Sequence, residues 1–195
     1  MKVYNQICIG LLYFISLFTF ANDIQPNTLF PKVKLTTSMG NIIVELDRSR
    51  APLTVDNFLT YVVDGHYDNT LFHRIIPEFV VQGGGLDLQK NEKTTLPSIA
   101  NESGNGLSNA MGTIAMARDS EPHTATSQFY FNIADNTGLD PSSRRWGYAV
   151  FGEIIQGEEV LQKMSSVATH IDQTLNWPDF PIENVILIKA ELLPK

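Results

Sequence analysis

Arg74 and Gln82 are the two residues whose types and spacing are best suited to chemistry. They flank Pro77-Glu78, a turn dipeptide between two apolar runs, Thr70–Ile76 and Phe79–Gly83. In a hairpin centred on Glu78, residues equidistant from the centre face each other, which sets Arg74 across from Gln82. A guanidinium carries a permanent charge and several rigidly arranged donors, and an amide opposite it can orient that fork or hold a ligand backbone. The chemistry open to such a pair is electrostatic: a cationic donor aimed at an atom that gains electron density in a transition state. The plainer reading of an Arg within a strand is a surface ion pair.

Other constellations carry less. His66, His73, His123 and His170 lack ligand spacing, so no zinc site is expected. His73 adjoins Arg74 and reads as a hydrogen-bonded structural group. Ser, His and Asp are all present without a nucleophile elbow. Gly83-Gly84-Gly85 has no following Lys-Ser/Thr and reads as a backbone bend, not a phosphate loop. Asn101-Glu102-Ser103 is a formal glycosylation sequon.

The elements that must position these groups are mostly strands. Val33–Thr37 and Ile42–Leu46 alternate around Ser38-Met39-Gly40-Asn41 and predict a β-hairpin. Ala51-Pro52 opens a helix whose apolar stripe is Val55, Phe58, Leu59 and Val62, with Gly65 as its stop. Residues 84–110 are rich in Gly, Asn, Ser and Lys and predict a long surface loop. Short strands follow around Thr113–Met116, Gln128–Asn132 and Tyr148–Ile154. Then come a helix over Glu158–Ser166 and a last strand over Val185–Leu193. Many short strands with two separated helices point to a mainly β protein, a closed or nearly closed antiparallel sheet capped by helices.

With 195 residues there is room for one domain with a real core. A net charge of −7 argues against a nucleic-acid partner, since phosphate binding needs a basic face. Arg144-Arg145 reads as a solvated loop. Residues 1–21 differ from the rest: Lys2, an apolar run from Ile7 to Phe20, then Thr19-Phe20-Ala21 before Asn22-Asp23. That is the layout of a cleaved signal peptide, the alternative being a retained N-terminal anchor. The expected mature domain is 22–195, exported and monomeric. Its one Cys, Cys8, would leave with the signal, so no disulfide is expected.

The run from Phe72-His73-Arg74-Ile75-Ile76-Pro77 to Phe79-Val80-Val81-Gln82-Gly83-Gly84 resembles the signature of cyclophilins. Four further blocks match in the family's order: Ala51-Pro52-x-Thr54-Val55-x-Asn57-Phe58, Gly112–Ala117, Thr126-Ser127-Gln128-Phe129 and Gly147–Gly152. Together they cover nearly all of residues 32–193. The Met116-Ala117-Arg118 form, with the export signal, resembles the bacterial periplasmic branch.

The resemblance implies an eight-stranded antiparallel β-barrel capped by two α-helices. It also implies a groove on the barrel's outer face and catalysis of rotation about X–Pro bonds without cofactor or metal. The partners it implies are proline-containing segments of unfolded or exported proteins. Arg74 and Gln82 take the catalytic positions. Phe79, Val80, Tyr130 and Leu139 form the proline seat, with Tyr148 at the rim and Ala117, Arg118 and Gln128 along the substrate. The chain departs from the best-known eukaryotic members at Glu78, Val80, Tyr130, Gly138 and Tyr148, which carry Gly, Met, Phe, Trp and His there. Tyr130 brings a hydroxyl near the pocket floor, and Gly138 removes an indole. An alternative is therefore a binding module, a holdase or adaptor with feeble turnover.

Overall fold

The computed structural model describes residues 24–195, so the expected signal over residues 1–21 and its cleavage point lie outside the described chain. The first hairpin forms where alternation predicts it. β1 (Lys32–Thr37) and β2 (Gly40–Leu46) pair from Lys32↔Glu45 to Thr37↔Gly40. Val33, Leu35, Ile42, Val44 and Leu46 are buried on one face, while Lys32, Lys34 and Glu45 keep their charged ends towards water.

α1 (Pro52–Val63) begins with Pro at a position where the missing N–H costs nothing. Ala51 offers no capping side chain, and a distant carboxylate supplies the need: Glu102 accepts from the Leu53 and Thr54 amides at 3.1 and 2.8 Å and from the Thr54 hydroxyl at 2.7 Å. At the other end Gly65 adopts φ +67°. The amides of Gly65 and His66 close back on the carbonyls of Val62 and Tyr61, a left-handed stop that favours glycine.

The remaining elements are β3 (Thr70–Ile76), β4 (Val80–Asp87), β5 (Thr113–Met116), β6 (Phe129–Asn132), β7 (Val150–Gln156), α2 (Glu158–Ser165), β8 (Thr169–His170), β9 (Phe180–Pro181) and β10 (Val185–Leu192). Eight strands close into a barrel in the order β1-β10-β3-β4-β6-β5-β7-β2, and β8 pairs only with β9. Every ladder is antiparallel. The interior is aromatic at its centre. Phe58 of α1 lies 5.1–5.4 Å, centroid to centroid, from Tyr67, Phe129 and Phe151. Val160, Leu161 and Met164 of α2 join the same core. No helix among the described residues is long and apolar enough to cross a membrane.

Two expectations need correction. The long loop does not start at residue 84: Gly84–Asp87 complete β4, and Gly84, Gly85 and Leu86 are buried. The glycines that read as loop chemistry are a packing requirement. A Cβ on Gly84 would stand 2.9 Å from the Tyr67 ring, and one on Gly85 2.7 Å from the Gln128 side chain. Nor is the rest of that segment simply surface, because Ser103 and Asn109 are buried and Glu102 is tied to α1. The small β8–β9 sheet and a single 3₁₀ turn at Thr137–Leu139 are additions to the sequence reading.

Barrel closure depends on Gly152, where β7 crosses β2 and a Cβ would sit 2.5 Å from the Glu45 carbonyl oxygen. Gly152→Ala should therefore lower the unfolding free energy by about 1–3 kcal/mol. Gly104→Ala, with no atom within 4 Å of its added methyl, should be silent. Urea titration of both variants checks this, and equal midpoints would show that the seam yields.

Candidate functional site

Strand parity decides which residues form the site. Along β6, Phe129 and Phe131 fill the core while Tyr130 faces outward; β5 does the same with Ile114, Met116 and outward Ala115; β4 points Val81 inward and Val80 outward. Val80, Ala115, Tyr130 and Val150 thus gather into a second apolar cluster on the outer wall. Phe79, Leu107, Ala117, Leu139 and Tyr148 pack around it.

Arg74 reaches this wall through an irregularity. Arg74 pairs with Gln82, as the turn predicts, and Ile76 with Val80, but Phe72 pairs with Gly83. One extra residue, His73, is inserted in β3 between the two pairs. In a regular strand Phe72 and Arg74 would share a face. The bulge leaves Phe72 in the core and turns Arg74 out to the groove.

Nine of the ten expected site residues line one groove of about 310 Å³: Arg74, Phe79, Val80, Gln82, Ala117, Arg118, Tyr130, Leu139 and Tyr148. Gln128, the tenth, lines an adjoining recess of about 290 Å³ that also borders Gln82, Ala117 and Arg118. A chain of polar contacts links the two. Arg74 Nη1 donates to Gln82 Oε1 at 3.4 Å, and Gln82 Nε2 donates to Gln128 Oε1 at 2.9 Å. Among the described residues no carboxylate lies within ion-pair distance of Arg74. The guanidinium presents its charge to the groove beside a neutral amide, which disposes of the surface ion-pair reading.

The remaining side chains show how the sequence's departures are absorbed. The Tyr130 hydroxyl donates to Asn109 Oδ1 at 2.7 Å. Burial pushes this phenol well above its ordinary range, so it stays neutral, and its ring remains part of the apolar floor. Arg118 lies with its guanidinium 4.5 Å from the Tyr148 ring centroid. Its donors go to the carbonyls of Gly147, Trp146, Asp119 and Ser120 at 2.7–3.2 Å, so the side chain braces the rim. At Gly138 an added Cβ would meet nothing within 4 Å; the family's indole is simply missing there. Trp146 does not replace it. It meets His123 edge to face with centroids 5.2 Å apart, outside the groove lining.

Sequence reasoning missed Asn109, whose signal was weak: a polar residue in a polar loop, distinguishable only by Tyr130's need for a partner. It read His73 as a hydrogen-bonded structural group without seeing what encloses the ring. The ring is 3% exposed, and its Nδ1 has no hydrogen-bond partner among the described residues. What touches it is Trp177, at 5.7 Å between centroids. Burial drives its pKa down to about 4; the adjacent Arg74 charge adds to this, against smaller opposing effects from the Leu71 carbonyl and Gln128. Neutral at ordinary pH and enclosed, it is no acid or base for the groove.

A barrel closed by eight antiparallel strands, capped by two helices and carrying a cation over an apolar groove on its outer wall, defines a cyclophilin-like protein. Residues 32–191 match the family model described as cyclophilin type peptidyl-prolyl cis-trans isomerase/CLD. Peptidyl-prolyl cis-trans isomerase A of Dickeya dadantii is 47% identical over 163 residues, covering 84% of this chain and 85% of that protein. Peptidyl-prolyl cis-trans isomerase B of Escherichia coli is 43% identical over 158 residues, covering 80% and 95%. The crystal structure of a Cryptosporidium parvum cyclophilin-type isomerase superposes with a TM-score of 0.70 at 25% identity, covering 85% of this chain and 99% of that one. The same protein was solved in the presence of the dipeptide Ala-Pro. The chain belongs to the cyclophilin-type peptidyl-prolyl cis-trans isomerases, and peptidyl-prolyl isomerisation is its activity.

The buried His73 has a consequence for stability. A folded-state pKa near 4 against about 6.5 when unfolded means the unfolded chain binds the extra proton first. Its contribution is complete above pH 6.5 and is lost as pH falls towards 4. Between pH 8 and pH 4.5 the native protein should lose about 2–3 kcal/mol more unfolding free energy than His73→Gln does. Denaturant titrations of both proteins across that range test it, and parallel pH profiles would refute it.

Proposed function

We propose that Arg74 drives the isomerisation by binding the twisted prolyl amide more tightly than either planar form. Rotation about X–Pro faces a barrier of about 20 kcal/mol because the planar bond is conjugated. Reaching millisecond turnover means removing roughly 6–8 kcal/mol. In the twisted state conjugation is lost and the prolyl nitrogen regains its lone pair. A fixed donor aimed at that atom acts on the transition state alone, and that difference is catalysis. The observation that carries the reading is the guanidinium of Arg74, with no carboxylate partner among the described residues, held over a groove floored by Val80 and Tyr130.

In this reading the proline ring seats against Phe79, Val80, Tyr130 and Leu139. Gln82 orients the guanidinium, and Gln128 fixes which way the Gln82 amide faces. Ala117, Arg118 and Tyr148 form the rim along which the substrate backbone runs. The diverted Tyr130 hydroxyl favours an active enzyme over a holdase or adaptor, because the floor keeps its apolar character. We further propose that the enzyme works as a monomer on proline-containing segments of exported proteins during their folding in the periplasm. The N-terminal layout of residues 1–21 supports that location.

Arg74→Ala should lower kcat/KM by about 10²–10³ while peptide Kd changes far less, and Arg74→Lys should recover little because a point charge cannot reproduce the fork. Measuring isomerisation rate, peptide Kd and thermal midpoint on the same variants tests this. Near-normal catalysis in folded Arg74→Ala would remove Arg74 from the mechanism.

Processing is tested separately. Protein recovered from the periplasm of its native host should begin at Asn22 by mass spectrometry. An intact Met1–Lys195 chain in the membrane fraction would replace cleavage with anchoring.

A further inference from the structure

Arg74 is a long, flexible side chain with little holding it. Its one polar contact, to Gln82, is 3.4 Å long, and no carboxylate among the described residues pairs with it. The amide alone is a weak hold, so its aim also depends on the backbone beneath it. That backbone is the bulge, and a bulge is a local choice: β3 returned to regular pairing would send Arg74 to the face that Phe72 occupies.

What holds the bulge is an excursion of the chain remote in sequence. The Trp177 ring lies against His73, the inserted residue, and two residues on the Asp179 carbonyl accepts from the Ile75 amide at 2.9 Å. Residues on both sides of Arg74 are thus gripped from the same segment. The segment is itself rigidly built. The Asp172 carboxylate, 2% exposed, accepts from the Thr174 and Leu175 amides, each at 2.9 Å, and from Lys90. The Asp172 amide donates to the Trp177 carbonyl at 2.9 Å, and the Asn176 amide to the Asp172 carbonyl at 2.8 Å. The His73 Nδ1 has no hydrogen-bond partner among the described residues, and the indole is the ring contact that this segment makes with it.

We infer that Trp177 and His73 are positioning residues for Arg74, packing together to keep the β3 bulge in the register that aims the guanidinium into the groove. The inference rests on the catalytic reading of Arg74 above. Neither residue lines the groove, so their effect reaches the substrate only through Arg74.

A structural role alone is the competing account, since Trp177 also packs beside Leu175 on the small cluster of Leu71, Leu86 and Phe180. The experiment is a double-mutant cycle with a control, run well below every thermal midpoint. Trp177→Ala should reduce kcat/KM by about tenfold with peptide Kd within about twofold, because misplacing a catalytic group costs rate before it costs binding. Trp177→Phe, which restores an aromatic ring against His73, should recover most of the loss. His73→Gln should reproduce the loss, and it serves if Trp177→Ala does not fold. Leu175→Ala removes packing from the same cluster while keeping both rings of the His73–Trp177 pair, and should keep kcat/KM within about twofold. In an Arg74→Ala background, Trp177→Ala should have no further effect on rate. Multiplying losses in that background, or an equal rate loss in Leu175→Ala, would overturn the inference. A silent Arg74→Ala would instead overturn the catalytic reading itself, so the two failures are distinct.

Discussion

Each groove residue on a barrel strand faces outward because its neighbours in the strand are committed to the barrel interior. Phe129 and Phe131 cannot leave the core without exposing two rings, so Tyr130 must face out; Val81 does the same for Val80 and Gln82. Closure of the sheet makes this commitment strict, because a register slip in one strand would reverse its faces and break the ladders on both sides. The glycines at the crossings are part of the same constraint. Gly152 lets β7 meet β2, and Gly84 and Gly85 let β4 pass under Tyr67 and Gln128.

Arg74 is the exception that the groove needs. Regular alternation would place it with Phe72, and one inserted residue reverses it. The result is a charge at the edge of an apolar surface, beside an amide and away from counter-charge. Under the proposed mechanism such a poorly compensated group gains most when an electron-rich atom arrives in front of it. Gln82 accepts from Arg74 and Gln128 from Gln82, contacts that leave the charge unneutralised.

The loops follow from what the barrel leaves unsatisfied. Glu102 reaches back to the bare N-terminus of α1, and Asn101 donates to the carbonyls of Pro122 and Gly147 at 3.0 Å. Asn109 takes the Tyr130 hydroxyl while Asp140 accepts from its amide groups at 2.7 and 2.8 Å. Residues 101–109 therefore tie the helix, the groove floor and the rim loop together. The rim is stiffened from the other side by Arg118, whose donors are taken up by loop carbonyls.

Local chemistry was enough to determine a good deal. Two-residue alternation located the β1–β2 hairpin, Pro52 and Gly65 bounded α1, and Pro77-Glu78 set Arg74 opposite Gln82, because each depends on residues close together in the chain. The ordered motifs pointed to ten side chains, nine of which line one groove. Alternation ran out where one residue's environment is made by another far away. Gly84 and Gly85 looked like loop because glycine marks a turn and a tight crossing alike, and only the positions of Tyr67 and Gln128 tell them apart. Asn109 looked solvated until Tyr130 was seen to need an acceptor. His73 read as a hydrogen-bonded structural group, and Trp177, more than a hundred positions on, was invisible as its ring contact. Periodicity reports which way a side chain faces. What it meets there is decided by the closed sheet, which brings distant segments together at a cost in chain entropy that no local pattern records.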